Sequence, residues 1–164
     1  MHKGALILLD KLFNEHISKE AHLDIIEIGS LDVNGSVSDL LSKYPNLKDT
    51  GADIEAGKNV DIVVDLEYQW SNIDDQSFDI AFSNQLLEHV EMPWELVKSM
   101  DRILKPNGLM IHVVPCMRNE HKFPIDCWRI MPDGMLALMS DTLSYETLTC
   151  GNTDVDTFYV GKKN

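Results

Sequence analysis

The chain has 164 residues, 44% hydrophobic and 25% charged, which is the composition of a globular protein able to bury a core without disulfides. Its 27 acidic and 14 basic residues give a net charge of −13 without a basic patch, so nucleic acid and anionic membrane surfaces are disfavoured as partners. The apolar runs are too short for a signal peptide or a membrane span and the three cysteines form no CxxC pair, so we expect a cytoplasmic protein with reduced thiols.

The chain opens with a predicted amphipathic helix and then alternates between strands and helices. Within residues 1–20, Leu6, Leu9, Phe13 and Ile17 recur at helical spacing and predict a helix that packs on the core. The other predicted strands are Asp24–Ile28, Thr50–Ile54, Asp61–Val64, Phe78–Ser83, Leu109–Val114, Ser144–Thr149 and Val155–Val160, and the other predicted helices are Ser36–Tyr44, Pro93–Leu104, stopped by Pro106-Asn107-Gly108, and Pro132–Ser140.

This alternation predicts an α/β fold with an open, mostly parallel, twisted sheet and helices on both faces, in a single domain over residues 1–164. The last two strands are joined only by Gly151–Asp154, which is too short for a helical crossover, so we expect an antiparallel strand near the C-terminus. In such sheets, ligands bind beyond the carboxyl ends of the strands, where the strand order reverses. The residues at those ends are therefore the candidate site.

The first strand ends in the most informative stretch of the chain, Asp24-Ile-Ile-Glu27-Ile-Gly29-Ser30. Glu27 ends an apolar strand, where an unpaired carboxylate is costly and a hydrogen-bond donor on a ligand is a natural partner. Gly29 gives room for a sharp turn and for a ligand close to the backbone. The pattern predicts a loop that binds a small-molecule cofactor.

Polar side chains also follow the later strands. Asp53 comes after the second strand, Asp65 after the third, and Ser83-Asn84 after the fourth. Acids at three successive strand ends are unusual for a purely structural sheet. Aspartates also end strands simply as turn formers, and that alternative stays open for Asp53 and Asp65.

Four segments resemble the class I S-adenosylmethionine-dependent methyltransferases: EIGSLDVNGS, GADIEAGKNVDIVVDL, FDIAFSNQLLEHVEMPWELVKSMDRILKPNGLMIHVVP and HKFPIDCWRIMPDGMLAL. The third is the most specific. It has three elements in the family's order and spacing: a strand that leads into Leu-Glu-His, a helix that ends Arg-Ile-Leu-Lys-Pro-Asn-Gly, and a central strand. The resemblance runs from about Asp24 to the end, and it implies methyl transfer with S-adenosylmethionine as the cofactor.

The resemblance also implies how the cofactor is held. The methionine moiety would lie by Glu27, Gly29 and Ser30, and Gly35 would help the loop to turn around it. Carboxylates suit the hydroxyl and amine donors of an adenosyl group, and an acidic pocket suits a cationic sulfonium. The other implied contacts are Asp53 with the ribose hydroxyls and Ile54 beside it, Asp65 and the Leu66 amide with the adenine, and Ser83 and Asn84 near the sulfonium.

The loop departs from the family pattern Glu-x-Gly-x-Gly-x-Gly. Leu31 stands at the second glycine and Val33 at the third, which would narrow the pocket or weaken cofactor binding. Asn34 and Gly35 would compensate, since both tolerate left-handed backbone geometry. The same departure argues against a nicotinamide dinucleotide site, which needs G-x-G-x-x-G, and no P-loop motif occurs.

Residues 121–129 follow the central strand and are the candidate acceptor site. Trp128 and Arg129 are predicted to contact the substrate, and His121 and Asp126 are candidate bases. The alternative is a structural loop in which Asp126 pairs with Arg129 and Trp128 packs on the core.

His89 is the third candidate base, although Glu88-His89 also fits a pair at a helix start. A metal site built from His112, Cys116 and His121 lacks a familiar ligand spacing and places His112 inside a buried strand. The sequence therefore predicts no metal.

The predicted function is methyl transfer from S-adenosylmethionine to a small-molecule acceptor. Displacement at an activated sulfonium depends mostly on positioning, so a base is needed only for an oxygen or carbon acceptor. Two alternatives stay open: a non-catalytic S-adenosylmethionine-binding regulatory or assembly protein of the same fold, and a nucleotide-sugar or nucleoside enzyme on a related sheet. The acceptor atom and the oligomeric state, with a homodimer as one possibility, are also open.

Overall fold

Helices and strands alternate along the chain, as the sequence predicts. The computed structural model describes residues 2–33, 35–140 and 143–164, and no helix in those ranges is long and apolar enough to cross a membrane. The helices are α1 (Lys3–His16), α2 (Ser38–Leu41), a 3-10 helix (Leu87–His89), α3 (Pro93–Ile103) and α4 (Pro132–Ser140), and the strands are β1 (Leu23–Ile28), β2 (Leu47–Asp53), β3 (Ile62–Val63), β4 (Phe78–Asn84), β5 (Leu104–Pro115), β6 (Tyr145–Asn152) and β7 (Asp156–Lys163).

Within the described residues, seven strands form one sheet in the order β3-β2-β1-β4-β5-β7-β6. β1 pairs in parallel with both β2 and β4, β2 with β3, and β4 with β5. β7 runs antiparallel to β5 and β6, so it is the antiparallel strand that the short Gly151–Asp154 connection predicts. The strand order reverses between β1 and β4, which places a ligand-binding crevice at their carboxyl ends.

Helices cover both faces of the sheet because the central strands are apolar on both sides. In β1, Ile25 packs on the face that α1 and α2 cover, whereas Ile26 packs on the face that α3 and α4 cover. Phe13 of α1 lies edge-on to Phe82 of β4, with ring centroids 5.4 Å apart, and this contact fixes the N-terminal helix on the sheet.

Most elements differ from their predicted bounds by up to three residues at an end, and two of the differences have a clear physical reason. The predicted helix over Ser36–Tyr44 is helical only over Ser38–Leu41. The amides of Lys43 and Tyr44 bond three residues back instead, because Pro45 disfavours helical geometry in the residue before it.

The predicted helix stop at Pro106-Asn107-Gly108 lies within β5, which begins at Leu104. The pairing with β4 is irregular there, and Asn107 adopts a φ of 65°, so these residues form a bulge in the strand.

Candidate functional site

The loop after β1 turns sharply and is fastened to β2. Gly29 has a φ of +80°, and a Cβ there would lie 2.9 Å from Leu86 Cδ1. The amides of Gly29 and Ser30 both donate to the Ala52 carbonyl, at 2.9 and 3.2 Å. Ser30 is itself buried beside Gly51. Only glycine satisfies both the backbone geometry and the close approach at position 29.

Leu31 stands where the family pattern has glycine, and its side chain is accommodated by packing against a neighbouring glycine. Its side chain lies against Gly57, where a Cβ would come within 2.3 Å of Leu31 Cδ1. Val33 is largely exposed. Asp32 holds the loop by accepting a hydrogen bond from the Gly35 amide at 2.9 Å and pairing with Lys58 Nζ at 2.6 Å. Asn34, predicted to help the turn, lies outside the described residues.

Asp53 stands at the end of β2 and holds the same loop. Its Oδ2 accepts a hydrogen bond from the Leu31 amide at 3.0 Å, and its Oδ1 accepts one from the Glu55 amide at 3.3 Å. A carboxylate has about four lone-pair sites, so acceptor capacity for a ligand is left on both oxygens. The neighbouring Ile54 side chain is exposed and offers an apolar surface beside them.

Asp65 lies two residues beyond β3 and closes a local turn. Its carboxylate accepts hydrogen bonds from the Ser71 amide at 3.0 Å and from the Ser71 hydroxyl, and these bonds hold the pKa of Asp65 below its usual value. Leu66 beside it is exposed. This arrangement is the turn-forming alternative that the sequence left open, and the adenine contact stays a prediction.

Glu27 lies in an acidic cavity beneath the loop, between β1, β2 and α2. Burial, and then the nearby carboxylates of Asp53, Asp32 and Asp49, raise the pKa of Glu27 to about 8. Such a group favours a cationic ligand, because a positive charge would compensate the ionised carboxylate. The cavity is also lined by Ser36, Ser38, Asp49 and Asp61, which the sequence analysis did not identify.

Ser83 and His112 bond to each other inside the sheet. The Ser83 hydroxyl lies 2.8 Å from His112 Nδ1, and both residues are fully buried. Burial lowers the pKa of His112 to about 3, so this imidazole is neutral. Asn84, the last residue of β4, is also buried. The Ser83 hydroxyl therefore has a structural partner, and its predicted contact with a ligand stays a prediction.

Glu88, His89 and His121 come together beyond the end of β4. Glu88 Oε1 lies 3.6 Å from His89 Nε2 and 3.7 Å from His121 Nε2. Burial raises the pKa of Glu88 to about 8 and lowers the pKa of His89. The sequence analysis named both histidines as candidate bases but did not bring them together, and Glu88 was left as a structural residue.

Asp126, Trp128 and Arg129 hold the segment 116–131 against this cluster. Arg129 donates from Nη1 and Nη2 to the two Asp126 oxygens, each at 2.6 Å, and this pairing holds the pKa of Asp126 far below its usual range. Trp128 Nε1 donates to the Val90 carbonyl at 2.8 Å, and the Trp128 ring stays 39% exposed, 6.3 Å from the Trp94 ring. The segment thus has the internal ion pair of the structural alternative and still presents an aromatic surface.

Comparisons with known proteins agree with this geometry. A sequence model described as a methyltransferase domain matches residues 35–112. The structure is similar to a SAM-dependent methyltransferase from Aquifex aeolicus, with a TM-score of 0.69 and 11% identity over 100% of both chains. It is also similar to 1,6-didemethyltoxoflavin-N1-methyltransferase from Burkholderia thailandensis, solved with 1,6-didemethyltoxoflavin and S-adenosylhomocysteine, with a TM-score of 0.74 and 11% identity over 99% of this chain and 79% of that one. The PH0226 protein from Pyrococcus horikoshii OT3 gives a TM-score of 0.73 and 16% identity over 99% and 91%. A search of curated proteins gives no match.

Residues 35–112 match a methyltransferase domain, and the described structure shares the fold of solved S-adenosylmethionine-dependent methyltransferases. The structural likeness, at identities of 11 to 16%, shows the shared fold, and the domain match covers the stretch from Gly35 to His112 within it. The similar structures from Aquifex aeolicus and Burkholderia thailandensis are named as S-adenosylmethionine-dependent or hold S-adenosylhomocysteine, which is the cofactor that the sequence resemblance implies for this chain.

The cavity and the strand ends fit that cofactor. Glu27, surrounded by other carboxylates, suits the ammonium and sulfonium charges. The Asp53 carboxylate has lone pairs that can accept hydrogen bonds from ribose hydroxyls. Ile54 and Leu66, exposed at neighbouring strand ends, offer apolar surface to a flat base. Gly29, which matches the first glycine of the family pattern, and Gly35, which lies beyond the pattern, are both at positive φ.

Proposed function

We propose that this methyltransferase acts on a small-molecule acceptor that binds between the glycine loop and the segment 116–131. The observation that supports this most is the exposed aromatic pair, Trp94 and Trp128, beside His89 and His121. An aromatic surface next to imidazole nitrogens suits a compact molecule with an apolar part and one polar group.

The chain's own residues would share two tasks. Glu27, Asp53 and the amides of the glycine loop would hold the cofactor, which supplies a methyl group that is already activated by the sulfonium charge. On the other side, His89 Nδ1 lies 2.6 Å from the Ile125 carbonyl and must donate to it, which leaves Nε2 with a lone pair. That Nε2 would take a proton from an acceptor that needs deprotonation.

The character of the surface supports a small acceptor over a nucleic acid. The net charge of −13 opposes binding to a phosphate backbone. A methyltransferase of the same fold, from Burkholderia thailandensis, was solved with 1,6-didemethyltoxoflavin and S-adenosylhomocysteine bound.

The test is methyl transfer from methyl-labelled S-adenosylmethionine to a panel of phenols, amines and carboxylic acids, with a protein extract and total RNA as competing acceptors. We expect label in the small-molecule fraction. Trp128→Ala should raise KM for the acceptor by about tenfold, because loss of an aromatic contact with the acceptor costs about 1.4 kcal/mol. Leu148→Ala, at an exposed apolar residue of β6, is the matched control and should change nothing.

Label found only in protein or RNA would contradict the small-molecule proposal. Tight cofactor binding without transfer to any acceptor would instead favour the non-catalytic alternative, a regulatory or assembly protein of the same fold.

A further inference from the structure

The Glu88 carboxylate is buried without a hydrogen-bond partner. Its side chain is fully inaccessible to solvent, and neither Oε1 nor Oε2 accepts a hydrogen bond from a described residue. Leaving a buried carboxylate unsatisfied is costly unless a cation or a ligand compensates it. The polar atoms that face it are two imidazole nitrogens, His89 Nε2 at 3.6 Å and His121 Nε2 at 3.7 Å.

Both imidazoles are oriented so that a lone pair faces Glu88. His89 Nδ1 is 2.6 Å from the Ile125 carbonyl, which only accepts, so the proton is on Nδ1 and Nε2 carries the lone pair. His121 Nδ1 is likewise 3.3 Å from the Asn119 carbonyl and 3.7 Å from Asp126 Oδ2. Two lone pairs and a carboxylate that converge on one point, each imidazole held from behind by an oxygen, are the arrangement found at metal-ligating histidines.

The spacing is close to that of a coordination sphere. One oxygen of Glu88 and one nitrogen from each histidine all lie within 4.8 Å of one another. Ligands at 2.0–2.2 Å from a tetrahedral ion are about 3.3–3.6 Å apart. The two distances from Glu88 Oε1, 3.6 and 3.7 Å, are close to that range, and the ligand atoms of the two histidines lie within 4.8 Å of each other. His121 is 43% exposed, which gives an ion a way in from solvent.

We propose that Glu88, His89 and His121 bind a divalent transition-metal ion. Two imidazoles and one carboxylate suit ions such as zinc, and three protein ligands leave at least one position open. The sequence analysis expected no metal, because it weighed His112, Cys116 and His121. His112 is bonded to Ser83 inside the sheet and takes no part in this set.

The cluster lies close in the chain to a residue that contacts the glycine loop. The 3-10 helix that carries Glu88 and His89 follows directly on Leu86, whose side chain lies against Gly29 of the glycine loop. This step rests on the proposed function and replaces His89 as the base, because His89 Nε2 would bind the ion. The ion would hold a hydroxyl oxygen of the acceptor and lower its pKa, so that the hydroxyl proton is lost to solvent. The acceptor class is then a hydroxyl compound, such as a phenol.

The test is a titration of the metal-free protein with Zn²⁺ in competition with a chromophoric chelator. We expect one equivalent to bind, and Glu88→Gln and His121→Ala each to weaken binding by at least about tenfold, as expected for the loss of one ligand. His22→Ala, which removes an exposed histidine outside the cluster, is the matched control and should leave zinc binding unchanged. Co²⁺ in place of zinc should give visible absorption bands that disappear in the same two variants.

Zinc binding that is weak and equally affected by His22→Ala would mean adventitious binding to surface histidines and would overturn the site. Unchanged affinity in both Glu88→Gln and His121→Ala, with folding confirmed by circular dichroism, would overturn it as well. A parallel titration with S-adenosylhomocysteine keeps the two proposals apart: cofactor binding without zinc binding removes only the metal site, whereas zinc binding without cofactor binding removes only the proposed function. Removal of zinc should also lower transfer to phenols more than transfer to amines, and equal loss would contradict the hydroxyl role.

Discussion

The two sides of the cleft differ in how their carboxylates are hydrogen-bonded. On the glycine-loop side, formed by residues 29–35 and the ends of β2 and β3, most carboxylates already have donors from the chain: Asp53 from Leu31, Asp32 from Gly35 and Lys58. On the histidine side, formed by the 3-10 helix Leu87–His89 and the segment 116–131, no side chain or amide in the described part of the chain donates a hydrogen bond to the buried Glu88 carboxylate with normal geometry.

This difference indicates that the glycine-loop side mainly fixes the shape of the backbone, whereas the histidine side holds the reactive groups. The glycine-loop side uses its polar groups to fix a backbone that can enclose a cofactor, and Glu27 is left to meet a positive charge. On the histidine side, the Asp126–Arg129 pair fixes the segment 116–131. Glu88, His89 and His121 lie close together there, with their ligand atoms within 4.8 Å of one another. Cofactor binding and acceptor chemistry should therefore be separable by mutation.

The largest effect on cofactor binding is expected at Gly29. In Gly29→Ala, the positive φ costs about 1–3 kcal/mol and the new Cβ meets Leu86, so the loop should shift and affinity for S-adenosylhomocysteine should fall by about tenfold or more. Calorimetric titration and urea unfolding check both effects. Gly134→Ala, in α4 with nothing closer than 3.7 Å to the new Cβ, should leave affinity unchanged and slightly raise the free energy of unfolding. Equal behaviour of the two variants would contradict the role of the turn.

The next effect separates the two sides. Arg129→Ala and Asp126→Asn remove the bidentate pair that holds the segment 116–131, so methyl transfer should fall by about a hundredfold, in the range expected when a catalytic group is misplaced. Affinity for S-adenosylhomocysteine should stay within about threefold of wild type, which is under 1 kcal/mol. If both variants lost cofactor binding as strongly as they lost transfer, the assignment of this segment to the acceptor would be wrong.

A pH dependence belongs to the glycine-loop side. Glu27 keeps its proton below about pH 8 in the free protein, and a cationic ligand favours the ionised form, so binding releases a proton. Affinity for S-adenosylhomocysteine should then rise from about pH 6 and level off above about pH 8, by at most about tenfold per pH unit. Glu27→Gln should bind more weakly at pH 8 and show a flat profile; a profile unchanged by this substitution would exclude Glu27 as the titrating group.

The same raised pKa has a consequence for stability. Because the folded protein holds the Glu27 proton more tightly than the unfolded chain, this contribution to the free energy of unfolding is complete below the ordinary pKa of 4.5 and is lost as pH rises towards 8. Glu27→Gln should therefore resist urea better than wild type above pH 8, although it binds the cofactor less well.

The smallest effect is expected at Ser83. Ser83→Ala removes the hydroxyl bonded to His112 and should lower the free energy of unfolding by about 1 kcal/mol, with cofactor affinity unchanged within about twofold. A tenfold loss of affinity would instead support the contact near the sulfonium that the sequence predicts.

The sheet and the glycine-loop side could be predicted because their signals are local. β1, β4 and β5 are apolar runs, and Glu27, Gly29 and Asp53 stand at strand ends in the chain itself. The bulge at Asn107 was not predicted, because proline and glycine also end helices and only pairing with β4 decides between the two. The short α2 depends on Pro45 overriding the helical pattern of Val37, Leu40 and Leu41.

The histidine side was predicted only as separate residues. Glu88 and His121 are 33 positions apart and meet because the segment 116–131, which has no regular structure, folds back so that the Cys127 amide donates to the Glu88 carbonyl at 2.6 Å. The helical and strand periodicity of a sequence does not predict a contact of this kind, because it forms through an irregular segment. The signal that was present is the adjacent Glu88-His89 pair directly beyond a strand end, followed by another histidine after the next strand.

The central claim, that the glycine loop and Asp53 form the cofactor site, is tested most directly by calorimetric titration of S-adenosylhomocysteine into the wild-type protein, Asp53→Ala and Asp65→Ala. Wild type should bind one equivalent. Asp53→Ala should weaken binding by at least about tenfold, because it removes the expected acceptor for the ribose hydroxyls together with the anchor of the Leu31 amide. Asp65→Ala should weaken binding less, because the Asp65 carboxylate is engaged by Ser71. Absence of heat with folded wild-type protein at millimolar ligand, or identical affinity in wild type and Asp53→Ala, would contradict the account.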